Sequence, residues 1–213
     1  GYRILVLECE KPTAIRRMVS FCEAVYDGQS SVEGVLCRKI NSIEECEAVW
    51  AAGEIPLMVD TEGDILKKYR PAALVDAILA KRNLGTTRDM SDLTIALGPG
   101  FVAGDDVDYV VETMRGHNLA RVITKGAALT NTGVPGMIAG FGKERVIHAP
   151  AAGILHNISK ITDIVEEGQP IAWIEGADGT RTEVPASLSG LLRGLIREGY
   201  PVTKGFKMAD IDP

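Results

Sequence analysis

The sequence predicts an α/β fold over residues 1–97, a Gly-rich β segment completing it over 98–142, and a small β-sandwich over 143–213. The N-terminal part alternates short apolar runs with helix-start signals. Glycine and threonine become frequent after Gly98, and the C-terminal part repeats itself at an offset of 37 residues. Strands separated by helices are typical of a mostly parallel sheet covered on both faces.

The first strand is expected in the apolar run YRILVLE, residues 2–8. Such a run is typical of a strand buried on both faces of a parallel sheet. In a Rossmann-like nucleotide fold, an acid at the end of the second strand receives a ribose hydroxyl, and Glu8 occupies that place. Because the sequence has no G-x-G-x-x-G, we expect a Rossmann-like sheet whose first strand is missing from this sequence. The alternative is an ordinary buried strand with an exposed cap.

The next elements follow from capping and periodicity. Two S-x-x-E capping boxes, at 20–23 and 42–45, predict helices near 21–26 and 43–52, because the serine and glutamate side chains satisfy free amides of the first turn. Alternating or apolar runs predict strands at 31–40, 55–59, 72–79 and 93–97, and a helical turn is expected at 64–69.

A repeat without gaps defines the C-terminal part. Residues 152–174 align with 189–211, and Gly153/Gly190 and Gly168/Gly205 are among the identities. Each copy predicts a strand, a glycine turn and a closing strand. The order of these signals resembles the barrel-sandwich hybrid of biotinyl and lipoyl carrier domains. The hairpin tip at 176–179 has no lysine, so a structural or docking role is favoured over a carrier role.

Composition excludes several classes of protein. The chain has 213 residues, 46 % of them hydrophobic, and 23 Lys+Arg against 29 Asp+Glu give a net charge of −6. Clustered basic residues drive nucleic-acid binding and none are seen, so no nucleic-acid partner is expected. With no apolar run of about 18 residues and no signal-peptide layout, we expect no membrane partner and a cytoplasmic location. The four cysteines are separated by 13, 15 and 9 residues, which favours reduced, mostly buried thiols over a zinc site.

Polar side chains collect where the predicted strands end. In open α/β sheets ligands bind at the carboxyl ends of the strands. The segment KRNLGTT, residues 81–87, offers a charge, an amide, hydroxyls and a glycine that suit phosphate or another oxyanion, although its spacing is not that of a P-loop. We therefore expect a strand-end crevice for a nucleotide, an oxyanion or a molybdenum-cofactor intermediate. The candidate ligand-binding residues are Glu8, Arg16, Arg17, Asp76, Lys81, Asn83, Thr86, Thr87, Gly98, Gly100, Arg115 and His117.

Two of these candidates have alternative interpretations. Asp76 lies in an apolar strand and must be paired, so a structural ion pair and a catalytic acid are both open. His117 lies beside Arg115 and can be a base or a metal ligand, but with no second histidine nearby a structural histidine is favoured. No catalytic residue and no metal ligand is assigned, and whether the protein is an enzyme stays open.

Four strings carry a family resemblance: residues 8–28, 75–87, 98–108 and 112–119, extended by NTGVPG at 131–136 and ADIDP at the end. They resemble the bacterial accessory family for selenium-dependent molybdenum hydroxylases. The resemblance implies a maturation factor that binds its ligand in the crevice, with the hydroxylase as partner. The alternative is a non-catalytic scaffold that docks onto the hydroxylase through the C-terminal sandwich. An open sheet edge further predicts a homodimer.

Overall fold

The structure, a computed structural model, describes residues 1–133 and 135–213. It divides into two compact units, one formed by Gly1–Thr61 with Met137–Pro213 and the other by Glu62–Gly136. The predicted boundaries at 97/98 and 142/143 stay a prediction. Val134 of the NTGVPG string lies outside the described residues.

The N-terminal part of the first unit is a small mixed sheet with two short helices. Its strands are β1 (Val6–Glu8), β2 (Gln29–Val32), β3 (Val35–Ile40) and β4 (Ile55–Val59), and its helices are α1 (Ala24–Asp27) and α2 (Cys46–Ala51). The strand order is β1-β4-β3-β2, with β1, β4 and β3 parallel and β2 antiparallel. Leu57 of β4 is fully buried in the cluster that holds α1, and Ile40 of β3 packs with α2.

The predicted Rossmann-like α/β fold is wrong. The structure is rich in strands and forms several small mixed and antiparallel sheets. Within the described residues the longest helix, α2, has six residues, too few to cover a broad parallel sheet. Parallel pairing does occur, but in two separate sheets that each end in an antiparallel strand.

The two predicted capping boxes have different outcomes. The box at Ser42 and Glu45 is confirmed: Glu45 Oε1 accepts the Ser42 backbone amide at 2.9 Å, ahead of α2. At 20–23 the box does not form, because the Glu23 carboxylate instead pairs with Arg17 and Arg197, each at 2.8 Å. An ion pair to a distant arginine outweighs the local cap, and α1 shortens to four residues.

The predicted strand at 31–40 is a hairpin. Glu33 and Gly34 have φ of 50° and 82°, the left-handed values that a tight two-residue turn requires, and β2 pairs with β3 across it. The predicted strand at 55–59 is confirmed as β4.

The C-terminal part of the first unit consists of two antiparallel four-stranded sheets. Their strands are β11 (Val146–His148), β12 (Gly153–Asn157), β13 (Ile164–Val165), β14 (Pro170–Glu175), β15 (Arg181–Pro185), β16 (Gly190–Leu195), β17 (Pro201–Val202) and β18 (Lys207–Asp212). One sheet has the order β15-β14-β12-β17 and the other β11-β18-β16-β13. Each copy's first strand pairs with the short strand of the other copy, β12 with β17 and β16 with β13.

The repeat extends further in the structure than in the sequence. The outer strands β11 and β15 are also related by the offset of 37: Ile147 pairs with Ala209, and Val184 pairs with Ala172. Both ladders shift register at the equivalent step. Sequence comparison misses these strands because the backbone pattern is kept while most outward side chains differ.

Gly153 and Gly190 show why the repeat keeps its first glycine. Their φ values are +153° and +157°, and a Cβ on them would lie 2.1 Å from the Glu175 carbonyl oxygen and 2.3 Å from that of Asp212. Any side chain would therefore push the paired strand away.

The two sheets share one hydrophobic core. Leu155 and Leu192, which are equivalent in the repeat, are both fully buried in it. Ile15 joins this core from the N-terminal segment, and its carbonyl accepts the Leu195 amide at 2.8 Å. The predicted barrel-sandwich hybrid is corrected to this description of two repeat-related antiparallel sheets. The prediction rests on the spacing of glycine and proline residues, and these residues favour the turns of antiparallel hairpins in many folds.

The second unit contains a mixed sheet and a short two-stranded ladder. Its strands are β5 (Leu74–Asp76), β6 (Thr94–Leu97), β7 (Val102–Ala103), β8 (Tyr109–Val111), β9 (Val122–Ile123) and β10 (Gly126–Ala127). The sheet order is β5-β6-β8-β9, with β5, β6 and β8 parallel and β9 antiparallel, while β7 pairs with β10. Ala96 and Val110 are fully buried in its core against Phe101 and Val107.

Short 3-10 helices complete the chain at Arg17–Val19, Ile43–Glu45, Asp64–Lys67, Arg88–Met90 and Lys143–Arg145. Throughout residues 1–133 and 135–213, every helix falls short of the length and apolar character needed to cross a membrane.

Candidate anion-binding site

A cavity of about 440 Å³ lies in the second unit, lined by segments that follow its three parallel strands. Lys81 comes from the segment after β5, Pro99 from the segment after β6, and Arg115 from the segment after β8. Leu129, Asn131, Thr132 and Gly136 complete the lining. Carboxyl ends of parallel strands are where α/β sheets bind ligands, and the cavity follows that rule.

Asp76 and Asn83 shape the segment that carries Lys81. The Asp76 carboxylate accepts the Ile78 amide at 3.1 Å and the Thr86 hydroxyl at 2.7 Å, which fastens the two ends of the segment together. Asn83 Oδ1 accepts the Thr86 amide at 2.8 Å, and Asn83 Nδ2 donates to the Thr86 carbonyl at 2.9 Å. Lys81 itself has φ +64°, a left-handed conformation that costs a side-chain-bearing residue energy. Such strain persists where surrounding contacts impose it.

Two glycines allow the neighbouring segments to approach. A Cβ on Gly98 would lie 2.6 Å from the Thr113 hydroxyl oxygen, and one on Gly100 would lie 2.5 Å from Arg82 Cα. Both glycines have left-handed φ, +81° and +112°. The three segments therefore pack together at distances that only glycine permits.

Glu112 forms the wall of the cavity and is 3 % exposed. Its Oε1 accepts the Met114 amide at 2.7 Å, and its Oε2 accepts the Leu129 amide at 2.8 Å. Burial by itself raises the pKa of Glu112, but the hydrogen bonds from Leu129, Met114 and Thr113 outweigh it and hold the pKa below its usual value. Glu112 is thus an ionised structural anchor whose oxygens are already engaged.

Lys81 and Arg115 supply the positive charge of the cavity. Both are exposed, and neither has a hydrogen-bond or ion-pair partner among the described residues. Arg115 Cδ would lie 3.8 Å from a Cβ on Gly136, so the aliphatic part of the Arg115 side chain lies beside Gly136. Two unpaired cations beside apolar Pro99, Met114 and Leu129 can bind an anion that has a short apolar body.

The remaining candidates in the second unit have structural contacts or lie away from the cavity lining. Asp76, Asn83, Thr86, Gly98 and Gly100 position the segments. The Thr87 hydroxyl donates to Asp89, and His117 is exposed and does not line the cavity. The interpretation of Asp76 as part of an ion pair is not borne out, since its partners are a hydroxyl and a backbone amide.

Glu8, Arg16 and Arg17 belong to the first unit. Glu8 Oε1 accepts the amide of Cys9. Arg16 pairs with Asp210 at 2.6 Å, and Arg17 pairs with Glu23 and donates to the Leu195 carbonyl. The charges of both arginines are matched within their own unit.

Sequence reasoning did not include Thr113, Met114, Asn131 and Thr132 among the candidates, although they line the cavity. The signal was present, because the ETMRGHN and NTGVPG segments are unusually polar for loops. In the described part of the chain no three His, Cys, Asp or Glu side chains group closely enough to hold a metal ion.

Comparison with known proteins gives one sequence relative of direct interest. A protein of Escherichia coli (strain K12), titled "Uncharacterized protein YqeB", is 50 % identical over all 213 residues of this chain. The chain spans 38 % of that protein's length. No family model matches the chain.

Similar solved structures are remote. The product-bound ectoine utilization protein EutE (DoeB) from Ruegeria pomeroyi is 12 % identical with a TM-score of 0.34, covering 97 % of this chain and 84 % of that one. A succinylglutamate desuccinylase/aspartoacylase from Rhodobacter sphaeroides is 21 % identical with a TM-score of 0.30, covering 43 % and 30 %. Likenesses this weak carry no inference about the chemistry of this chain.

The expected membership in the accessory family for selenium-dependent molybdenum hydroxylases is corrected by these findings. The matched structures are described as an ectoine utilization protein and as members of the desuccinylase and aspartoacylase families, and the sequence relative is described as uncharacterized. None of these matches points to selenium or to a molybdenum hydroxylase. The maturation role and the hydroxylase-docking scaffold are both withdrawn.

Proposed function

We propose that the second unit binds a small organic anion in the cavity between Lys81 and Arg115. The observation that supports this most directly is the pair of cations, without partners among the described residues, at the carboxyl ends of three parallel strands. Glu112 is the only acid among the described lining residues, and both of its carboxylate oxygens accept hydrogen bonds from backbone amides. An incoming carboxylate or phosphate would therefore meet two available cations and no competing side-chain carboxylate.

The two cations differ in what they contribute. Arginine presents a planar fork that suits bidentate contact with a carboxylate or phosphate, while lysine acts as a point charge. Because Asp76 and Asn83 fix the segment carrying Lys81, its charge is held near the cavity before a ligand arrives. This preorganisation reduces the ordering cost of binding.

Calorimetric titration of small monocarboxylates and phosphate monoesters tests the proposal. Lys81→Met and Arg115→Met should each weaken binding by about 1.5–3 kcal/mol, the scale of a hydrogen bond to a charged group. Lys68→Met is the matched control, because Lys68 is an exposed lysine of the same unit that does not line the cavity. Unchanged affinity in both cavity variants, or equal loss in the control, contradicts the proposal.

A homodimer and a cytoplasmic location remain proposals. β1 is an edge of its sheet among the described residues, and an open edge favours pairing with another chain. All four cysteines are free, three of them buried, which is usual in a reducing compartment. Sedimentation velocity at micromolar concentration tests the dimer.

A further inference from the structure

A second cavity, of about 380 Å³, lies on the other side of the Glu112 wall. It is lined by Asn118, Arg121 and Lys125, and it shares Glu112 and Leu129 with the anion cavity. Because two residues line both spaces, the cavities adjoin, separated by little more than these side chains.

The wall between the cavities is rigidly built. Glu112 lies at the end of β8, where its amide donates to the Arg121 carbonyl at 2.9 Å and its carbonyl accepts the Ala120 amide at 2.9 Å. Its side chain then holds the Leu129 amide at 2.8 Å. Glu112 thus joins the β8–β9 hairpin to the backbone at Leu129, and this contact sets the spacing of the two cavities.

The second cavity repeats the charge pattern of the first. Lys125 has no hydrogen-bond or ion-pair partner in the described part of the chain, and Arg121 contacts only the Asn118 side-chain oxygen, at 3.5 Å. Four cationic side chains therefore line the two cavities, against one buried carboxylate whose oxygens are engaged.

We infer that the two cavities together bind a small molecule with an acidic group at each end. Lys81 and Arg115 hold one group, and Arg121 and Lys125 hold the other, with the connecting chain passing over Leu129. This inference rests on the proposed function, and it adds the substrate class: a molecule with two separate acidic groups, called a dianion below, rather than one with a single acidic group, called a monoanion. Linking two weak anion contacts in one ligand makes the second contact intramolecular, which raises affinity well above that of either end alone.

The test compares dianions with matched monoanions by calorimetry on the full chain. A series from malonate through succinate and glutarate to adipate is titrated beside the monocarboxylates of equal carbon number. In a second arm, pyrophosphate and methylenebisphosphonate are titrated beside inorganic phosphate and methylphosphonate. We expect at least one dianion to bind about tenfold or more tightly than its monoanion. If the dicarboxylates bind more tightly than the phosphate compounds, the acidic groups of the ligand are carboxylates; the opposite order identifies them as phosphates.

Substitutions separate this inference from the proposed function. Lys125→Met and Arg121→Met should abolish the dianion advantage, while the monoanion binding that Lys81→Met and Arg115→Met weaken should keep its affinity; Lys68→Met should change neither. Dianions that bind no better than monoanions, or a Lys125 variant that keeps the full advantage, overturn the inference while the single-anion site stands. If no anion of either kind binds, the proposed function itself fails.

Discussion

Replacing Glu112 with glutamine tests the anchor of both cavities. A carboxylate accepts both the Met114 and Leu129 amides, at 2.7 and 2.8 Å, whereas a glutamine side chain accepts with only one of its two terminal atoms. One of these part-buried amides then faces an NH₂ group, which costs about 1–3 kcal/mol. Losing the charge on the other bond costs about 1 kcal/mol more, so Glu112→Gln should destabilise the second unit by about 2–4 kcal/mol.

Amide hydrogen exchange followed by NMR measures this effect where it acts. Protection of the Leu129 and Met114 amides should fall by the amount calculated, while amides of β12 and β14 should keep theirs. Glu144→Gln is the matched control, because Glu144 also accepts a backbone amide, that of Gly142 at 2.9 Å, but is exposed. Undiminished protection at Leu129, or an equal effect in the control, would refute the role given to Glu112.

The pH dependence of the same anchor has a definite sign. The pKa of Glu112 is lowered in the folded protein, so its contribution to stability is fully present above the ordinary value of 4.5. It is lost as the pH falls from that value through the lowered pKa. Glu112→Gln should therefore flatten the acid limb of the stability curve of the second unit.

Two further predictions concern the first unit. Asp210→Asn should lower the free energy of unfolding, measured in urea, by about 2–3 kcal/mol. This is less than for a fully buried ion pair, because the side chain of the partner Arg16 is 43 % exposed. An unchanged urea midpoint contradicts this prediction. The two arginine partners outweigh burial and lower the pKa of Asp210, so its contribution should fade as the pH drops below 3.8. Gly168→Ala should destabilise the protein by roughly 1–2 kcal/mol, because alanine disfavours the left-handed φ at that position. Gly153→Ala should destabilise it by about 1–3 kcal/mol more, because its Cβ would also press against the paired strand. Equal melting temperatures for these two variants would count against the strand-contact explanation.

Local signals predicted local structure well. The strand at 55–59, the capping box at Ser42 and the C-terminal repeat depend on neighbouring residues or on a fixed offset, and each is present. Sheet membership depends on partners far along the chain, so the division into two mixed sheets escaped prediction. The helix at 21–26 shrank because Glu23 pairs with Arg197, a contact between residues 174 positions apart.

The cavity was predictable only in part. Lys81 and Arg115 stood out because basic side chains near predicted strand ends suit an anion, and both line the same cavity. The wall residue Glu112 did not stand out as an anchor, because its role depends on accepting the amide of Leu129, 17 residues away. Arg16 and Arg17 looked equally suitable in sequence, but carboxylates contributed by Asp210 and Glu23 take up their charge.

The pairing of the C-terminal repeat has a consequence for how this protein arose. Since β12 pairs with β17 and β16 pairs with β13, one edge strand of each sheet comes from the other copy of the repeat. Neither copy therefore completes a four-stranded sheet alone. A polypeptide carrying one copy would satisfy its backbone only by exchanging that strand with a second molecule. The present chain has the geometry of such an exchanged dimer joined into one polypeptide, with residues 176–180 connecting the end of β14 to the start of β15.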